Sequence, residues 1–431
     1  LNFFGRKIYY GWVIVAVAFI AGAFSTGPVI WGVSVFVTPM SEEMGWSRTS
    51  FFLAMTIRSL VAGVTAPFIG PLQDTKQGPR VLMLGSSILL ALSLIGLKHV
   101  HHLWELYLLI GLVGGITQLG AGAMLTQAVL PKWFIRRRGR AMGIALMGSG
   151  FGPMLFPITL QGVLAIVDWR DAWMLMGIFT LIVLTPLSLL VYTRPEDIGL
   201  LPDGDTEPYE MALGSTRPRP PQEVSLTRKE AFRTSAFWFI AAGVMLASVG
   251  LQGFQANLLP HFQNIGYSAA IGSLAITVYG ACSVSVRIVW GTLGERFQIR
   301  YLLMAQTFLT ACSIVWLLAM PGGNVTLLFG FAVFHGLSMG GYFILHPMMV
   351  AGYFGREHLG SIQGVLRPFT TMATAISPIL VATAYDAQGS YFWGFFGVMI
   401  AYFMASTVIG LAKHPRRGRS AEPDVVDAPV V

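Results

Sequence analysis

The sequence predicts an all-α membrane protein: twelve transmembrane helices in two pseudo-symmetric six-helix halves. Three observations predict it. Charge is scarce, with 11% of residues charged against 54% hydrophobic and a mean hydropathy of +0.65, whereas a soluble domain carries about 25% charged residues. Apolar runs of about 20 residues, the length that crosses a bilayer, recur along the whole chain. One loop is also written twice, six runs apart. Gly70-Pro71-Leu72-Gln73-Asp74 closes the second run, and Gly291-Thr292-Leu293-Gly294-Glu295-Arg296 closes the eighth.

The runs lie near residues 9–37, 50–71, 80–98, 103–130, 140–166, 171–192, 235–259, 268–292, 300–320, 324–352, 360–385 and 391–412. The first is too long for a signal-peptide core and no small-residue cleavage site follows it, so it is expected to remain as a helix. An even number of crossings puts both termini on one side. Of the 28 Lys and Arg residues, Arg48, Lys98 and Arg170 fall in loops of the opposite side. Arg58, Arg287 and Arg367 fall inside runs, and the remaining 22 lie on the side of the termini. By the positive-inside rule that side is cytoplasmic, in a cell inner membrane or plasma membrane. The net charge of +8 therefore describes loop sorting and does not point to nucleic acid. Cys282 and Cys312 both lie in apolar runs and make no disulfide framework or metal cluster.

The expected organisation is a first half over 1–192, a cytoplasmic linker over 193–234, a second half over 235–412 and a disordered tail over 413–431. The linker contains Arg217-Pro218-Arg219-Pro220-Pro221, a flexible polar composition. It ends in Thr227-Arg228-Lys229-Glu230, a capping box that starts a short surface helix.

The doubled loop has a physical reading. Gly70 and Gly291 let two helices touch, and Asp74 with Arg80, and Glu295 with Arg296, cap and pair at the helix ends. These six residues are the expected gating set. A second repeat supports the halves. Trp133-Phe134-Ile135-Arg136-Arg137-Arg138 leads into Gly139-x-x-x-Gly143, and Tyr353-Phe354-Gly355-Arg356 leads into Gly360-x-x-x-Gly364. Each joins an aromatic interface anchor and snorkelling arginines to a close-packing glycine face.

With these motifs the chain resembles the major facilitator superfamily over nearly its whole length. The first loop copy departs from the superfamily pattern: Thr75-Lys76-Gln77-Gly78 is one residue longer and lacks the Arg after Asp74. Tyr10-Gly11-Trp12, Gly45-Trp46-Ser47-Arg48, Lys132-Trp133-Phe134 through Gly143, and Arg194-Pro195-Glu196-Asp197-Ile198-Gly199 resemble the prokaryotic branch of the monocarboxylate and oxalate/formate transporters. The resemblance implies the major facilitator fold, a small organic anion as substrate and rocking of two halves about a central site.

No Asp or Glu lies well inside any run; the intramembrane charges are Arg58, Arg287 and Arg367. Such a charge costs at least ~2.5 kcal/mol on insertion scales, so its default reading is functional. Three arginines without acidic partners suggest that an anionic substrate supplies the counter-charge. By resemblance Arg287, a few residues before the eighth-run loop, binds the carboxylate, for which a planar fork is suited. The other reading is that it snorkels to the cytoplasmic surface. Arg58 binds substrate or pairs with backbone carbonyls; Arg367, before Pro368, binds substrate or stays near the interface. The aspartate that many animal relatives carry four residues before the arginine falls on Ser283 here, and their first-run lysine falls near Trp31. Both substitutions remove parts of that family's coupling scheme. Ser283, Tyr279 and Gln118 complete the expected substrate-binding set.

His335, Ser338, Tyr342 and His346 are spaced at i, i+3, i+7 and i+11, one helix face. Histidine titrates near physiological pH, so His335 and His346 are the expected proton-coupling pair; the alternative is a hydrogen-bonded packing seam. Gln127, Gln252, Gln255 and Asn257 are either ligand contacts or interhelical glue. Pro28, Pro67, Pro153, Pro157, Pro347 and Pro378 are expected to kink helices around a cavity. His99, His101 and His102 read as a solvated loop.

No Gly-x-x-x-x-Gly-Lys-Ser/Thr loop is present, which argues against ATP-driven transport. The expected molecule is a secondary active transporter, not an enzyme, without cofactor or metal and functional as a monomer. It moves a monocarboxylate such as lactate or pyruvate by alternating access with proton symport. An oxalate/formate-type anion exchanger and an exporter of larger hydrophobic compounds remain open. A membrane sensor lacks support, because no soluble signalling domain is evident.

Overall fold

The computed structural model describes residues 2–3, 6–7, 9–205 and 225–415. Side chains before residue 9, and those at 26, 29–31, 34, 121, 123, 124, 153 and 154, are outside this description. The expectations for the Arg217–Pro221 stretch, the tail from residue 416 and the side chains of Trp31 and Pro153 fall on such positions. Apart from a small antiparallel ribbon pairing Asn2–Phe3 with Arg6–Lys7, the described chain is helical.

Span one runs without a gap through Gly11–Thr26, a π-helical stretch Gly27–Gly32, and Val33–Met44. Pro28 lies in the π stretch, where a missing backbone donor forces a local change of ladder. The helix outlasts the apolar run, which ends near Val37. Hydropathy reports where lipid stops, but backbone hydrogen bonds carry the helix on until Gly45 closes it at φ 69°. The other eleven spans are Arg48–Asp74, Gly78–His99, Leu103–Trp133, Arg138–Leu164, Trp169–Leu189, Ser235–Asn264, Ala269–Gly294, Ile299–Ala319, Val325–Phe354, Leu359–Gln388 and Phe392–Leu411. Each is long and apolar enough to cross a membrane. Between spans six and seven, Thr227 and Glu230 cap a short helix, Arg228–Phe232, reciprocally.

The packing of the first half recurs six spans later. Span one lies on five, three on six and two on four; seven lies on eleven, nine on twelve and eight on ten. Two core clusters result. Phe36 stacks on Trp173 at 4.0 Å in the first, and Phe254 packs on Phe331 and Phe395 in the second. Phe68, Ile158 and Ile166 are each more than two-thirds exposed. A water-soluble surface rarely tolerates such a patch, but lipid requires it.

The halves meet through two crossed pairs, span two with eleven and span five with eight. Both contacts are closest at the helix ends on the side of the chain termini.

Candidate functional site

Four glycines make that closed end possible. A Cβ on Gly70 would lie 2.3 Å from the Gly360 carbonyl oxygen, and one on Gly360 would lie 2.4 Å from that of Gly70. Gly139 and Gly291 are related in the same way, at 1.9 and 2.3 Å. Backbone touches backbone across the halves, a contact any side chain would prevent.

Each glycine contact carries a carboxylate on a helix start. Asp74 accepts from the Gly360 N–H at 2.9 Å, the Ser361 N–H at 2.8 Å and the Ser361 hydroxyl at 2.7 Å, at the beginning of span eleven. Glu295 accepts from the Arg140 N–H at 2.8 Å, at the beginning of span five. A negative charge there meets unpaired N–H groups and the positive end of a helix dipole. The bases that complete these pairs come from elsewhere in the fold. Lys132 Nζ, almost fully buried, sits 3.1 Å from Asp74, and Arg140 Nε sits 3.1 Å from Glu295. Arg80 instead stacks its guanidinium over Tyr192, and Arg296 is exposed. Burial pushes the Glu295 carboxyl above its ordinary range, against the pull of the Arg140 N–H and guanidinium. Around these contacts the two ends of the linker grip the loop between spans ten and eleven. Arg194 pairs with Glu357 at 3.7 Å, Glu196 with Arg356 at 3.3 Å, and Leu226 N–H bonds the Phe354 carbonyl. At the far end, no hydrogen bond or ion pair joins the halves among the described residues. Lys98–Asp171 and Arg170–Glu43 hold spans of the first half to each other.

The three membrane arginines are in different states. Arg58 is buried and spends its donors on carbonyls, Nε to Gly114 at 3.3 Å and Nη2 to Ser25 at 3.0 Å. Arg287 begins the last two turns of span eight, after the helix shifts at Val286. It reaches across to span five, donating to the Leu146 carbonyl and to the Ser149 hydroxyl, with its guanidinium 4.7 Å from the Phe343 ring centre. Its Nε has no hydrogen-bond partner among the described residues. Arg367 is only partly buried, and among the described residues its guanidinium has no hydrogen-bond partner. It lies within electrostatic reach of Arg58, Tyr342 and His346.

The neutral candidates divide as well. Tyr279 is buried, accepts a 2.5 Å bond from Gln255 Nε2 and lies beside His335. Ser283 is buried where Gly336 and Gly340 of span ten press on the backbone of span eight. Gln118 is half-buried without a hydrogen-bond partner among the described residues. The span-ten ladder loosens at Gly340–Gly341, so its polar residues part company. His335 turns to Ser313 on span nine at 2.7 Å. Tyr342 bonds Ser248 on span seven at 2.9 Å, and His346 stacks on Tyr342 with Nε2 unpartnered among the described residues. Sequence reasoning misses Lys132, Arg140, Ser149 and Phe343 as site residues, and Ser313 as the hydrogen-bond partner of His335. Only Lys132 carried a sequence signal, a cation buried between Pro131 and Trp133 in a recognised motif. Among the described residues no group of His, Cys, Asp and Glu could hold a metal ion.

Comparison with known proteins agrees with this fold. The Major Facilitator Superfamily profile matches residues 13–272 and 245–430. Monocarboxylate transporter 12 of Rattus norvegicus is 24% identical over 427 residues, covering 95% of this chain and 86% of its own. Monocarboxylate transporter 11 of Homo sapiens is 26% identical over 392 residues, covering 89% and 78%. Among solved structures, the proton:xylose symporter XylE superposes with a TM-score of 0.71 at 13% identity, covering 94% of this chain and 96% of that one. That likeness concerns the fold.

Proposed function

We propose that this chain, which belongs to the Major Facilitator Superfamily and is a multi-pass membrane transporter rather than an enzyme, moves a small organic monocarboxylate such as lactate or pyruvate. The observation that carries this reading is Arg367, a partly buried cation within a membrane span that has, among the described residues, neither a carboxylate nor a hydrogen-bond acceptor against its guanidinium. A bare charge there is costly, and a carboxylate from outside relieves the cost. The relatives named as monocarboxylate transporters support the same substrate class.

The mechanism follows from the unequal arginines. With the terminus side closed, Arg287 is committed to span five, and Arg367, with Arg58 nearby, is the cation that receives an anion arriving from the far side. Neutralisation favours closure of that side around the substrate. Opening of the terminus side then parts spans five and eight, which frees Arg287 from Leu146 and Ser149 to take the carboxylate on its way out. The moving bodies are residues 1–192 and 235–412, joined by the linker 193–234, and both termini are cytoplasmic by the Lys and Arg asymmetry. Proton symport, with His335 or His346 as carrier, supplies the driving force. Anion exchange of the oxalate/formate kind is the second reading, favoured by the absence of any carboxylate among the membrane-embedded candidates.

Uptake of radiolabelled L-lactate, pyruvate, formate and oxalate into proteoliposomes tests this, with and without an inward proton gradient. Gradient-driven accumulation of a monocarboxylate is expected. Uptake that requires internal substrate and ignores the gradient would establish exchange instead. Flux of none of these acids, with export of hydrophobic compounds that Arg287→Ala leaves intact, would overturn the substrate class.

A further inference from the structure

His335 is enclosed on four sides. Phe254 of span seven, Tyr279 of span eight and Phe331 of its own span have ring centres 4.9, 5.1 and 5.4 Å from the imidazole. Ser313 of span nine closes the fourth, with Oγ 2.7 Å from Nδ1. Tyr279 is the titratable group among these neighbours; Arg287, further along span eight, lies within electrostatic reach of Tyr279.

The direction of the Ser313 bond can be worked out. Ser313 Oγ also lies 2.6 Å from the Thr310 carbonyl oxygen. Two oxygens that close need a hydrogen between them, and a serine has one to give. The hydroxyl hydrogen therefore goes to Thr310, and Oγ meets the imidazole with a lone pair. Nδ1 must then carry the ring proton. The rest of the seam agrees. Thr310 donates to the Gln306 carbonyl at 2.9 Å and accepts from Gln306 Nε2 at 3.0 Å, so each hydroxyl in the row has a fixed sense. Nε2, on the opposite edge of the ring, has no hydrogen-bond partner among the described residues.

We infer that Ser313 is a positioning residue for the proton step: it locks His335 as the Nδ1–H tautomer, so that Nε2 is the atom that takes and returns the transported proton. The tautomer of a histidine is set by the bond its other nitrogen makes. On protonation Nε2 gains a proton from water, both ring nitrogens become donors, and the bond to Ser313 persists because Nδ1 already donates. His346 lacks such a device: among the described residues neither of its ring nitrogens has a hydrogen-bond partner, and its surroundings include Arg367, whose charge opposes a second cation. The inference rests on the proton-symport reading, but its geometry can be tested apart from transport.

Histidine 15N spectra of the full-length protein in detergent, with His335 assigned by loss of its signals in His335→Gln, report the tautomer directly. The expected result is Nδ1–H in the wild type and a shift toward Nε2–H in Ser313→Ala. An Nε2–H tautomer in the wild type would overturn the inference whatever the transport assays give. In proteoliposomes, Ser313→Ala is expected to lower proton-driven L-lactate uptake roughly tenfold, less than the ~10²–10⁴-fold for removing a proton-transfer group outright, because the imidazole remains. L-lactate exchange should change less than twofold and confirm folding, and Ser313→Thr, which keeps the hydroxyl, should restore the driven component. Equal loss of both modes in Ser313→Ala, with the Nδ1–H signal unchanged, would make Ser313 a packing residue only. A wild type that exchanges L-lactate but ignores proton gradients would remove the symport reading and, with it, the transport role of this tautomer.

Discussion

The two copies of the glycine–carboxylate contact bury their acids equally, at 9% exposed, but hold them with bases at two depths. Asp74 is nearly buried, makes three hydrogen bonds to the start of span eleven and faces a lysine that is almost fully buried. Glu295 makes one backbone bond to the start of span five, and its partner Arg140 is about half exposed, at 47%. The glycine contacts beneath them are both backbone on backbone, and the second is no looser than the first. The difference therefore lies in the electrostatics: the first copy is a fixed clasp, and the second is a contact that solvent can adjust. A pseudo-symmetric fold need not share work equally between its halves, and the arginines repeat this lesson. Arg58 in the first half is tied to carbonyls, while the Arg367 guanidinium in the second has no hydrogen-bond partner among the described residues, the feature on which the proposed anion binding rests.

The comparison breaks first at Asp74. Asp74→Asn leaves Lys132 buried without a counter-charge, which costs about 3–5 kcal/mol. Spin labels on the 2–3 and 10–11 loops should report a widened or open gate; an unchanged distance would mean that the clasp does not hold the closed state. Next comes Gly291→Ala. Its Cβ would meet the Gly139 carbonyl oxygen, which is backbone and cannot step aside, so about 1–3 kcal/mol against closure is expected. Cross-linking between spans five and eight reads this out, and undiminished cross-linking would refute the close approach. Arg140→Ala removes a half-exposed ion pair worth about 0.2–1 kcal/mol. It should shift the same distances much less than Asp74→Asn; an equal shift would abolish the asymmetry between the copies.

The smallest effect is with pH. Closure buries Glu295 and raises its carboxyl above the ordinary range that it regains when solvated. Between those two values the closed state binds more protons than the open one. Lowering the pH through that window therefore favours closure, and raising it favours opening. Label distances measured across pH should show this slope in the wild type and lose it in Glu295→Gln. A slope of opposite sign would mean that the Arg140 pairing outweighs burial.

Much of this architecture is readable along the chain, because each span must satisfy a bilayer and leaves a run of about 20 apolar residues. The doubled loop and the two Gly-x-x-x-Gly faces also show in sequence, because a backbone contact admits no other residue. Partner choice does not show. Arg80 and Arg296 are near the gate acids in sequence, yet Lys132 and Arg140 reach them through the tertiary arrangement of spans four and five. The bond from Arg287 to the Leu146 carbonyl involves an acceptor that every residue possesses, so no residue type marks it. Ser313 looks like any small polar residue in an apolar helix; its role depends on two distances, 2.6 and 2.7 Å.

The most direct test is L-lactate binding to purified wild type and Arg367→Gln, compared with Arg58→Gln, by equilibrium scintillation proximity. Losing a charge-assisted hydrogen bond costs about 1.5–3 kcal/mol, or roughly 10- to 100-fold in Kd. The account predicts that loss for Arg367→Gln, and a smaller one for Arg58→Gln, whose donors already serve Gly114 and Ser25. Binding unchanged by Arg367→Gln would contradict it.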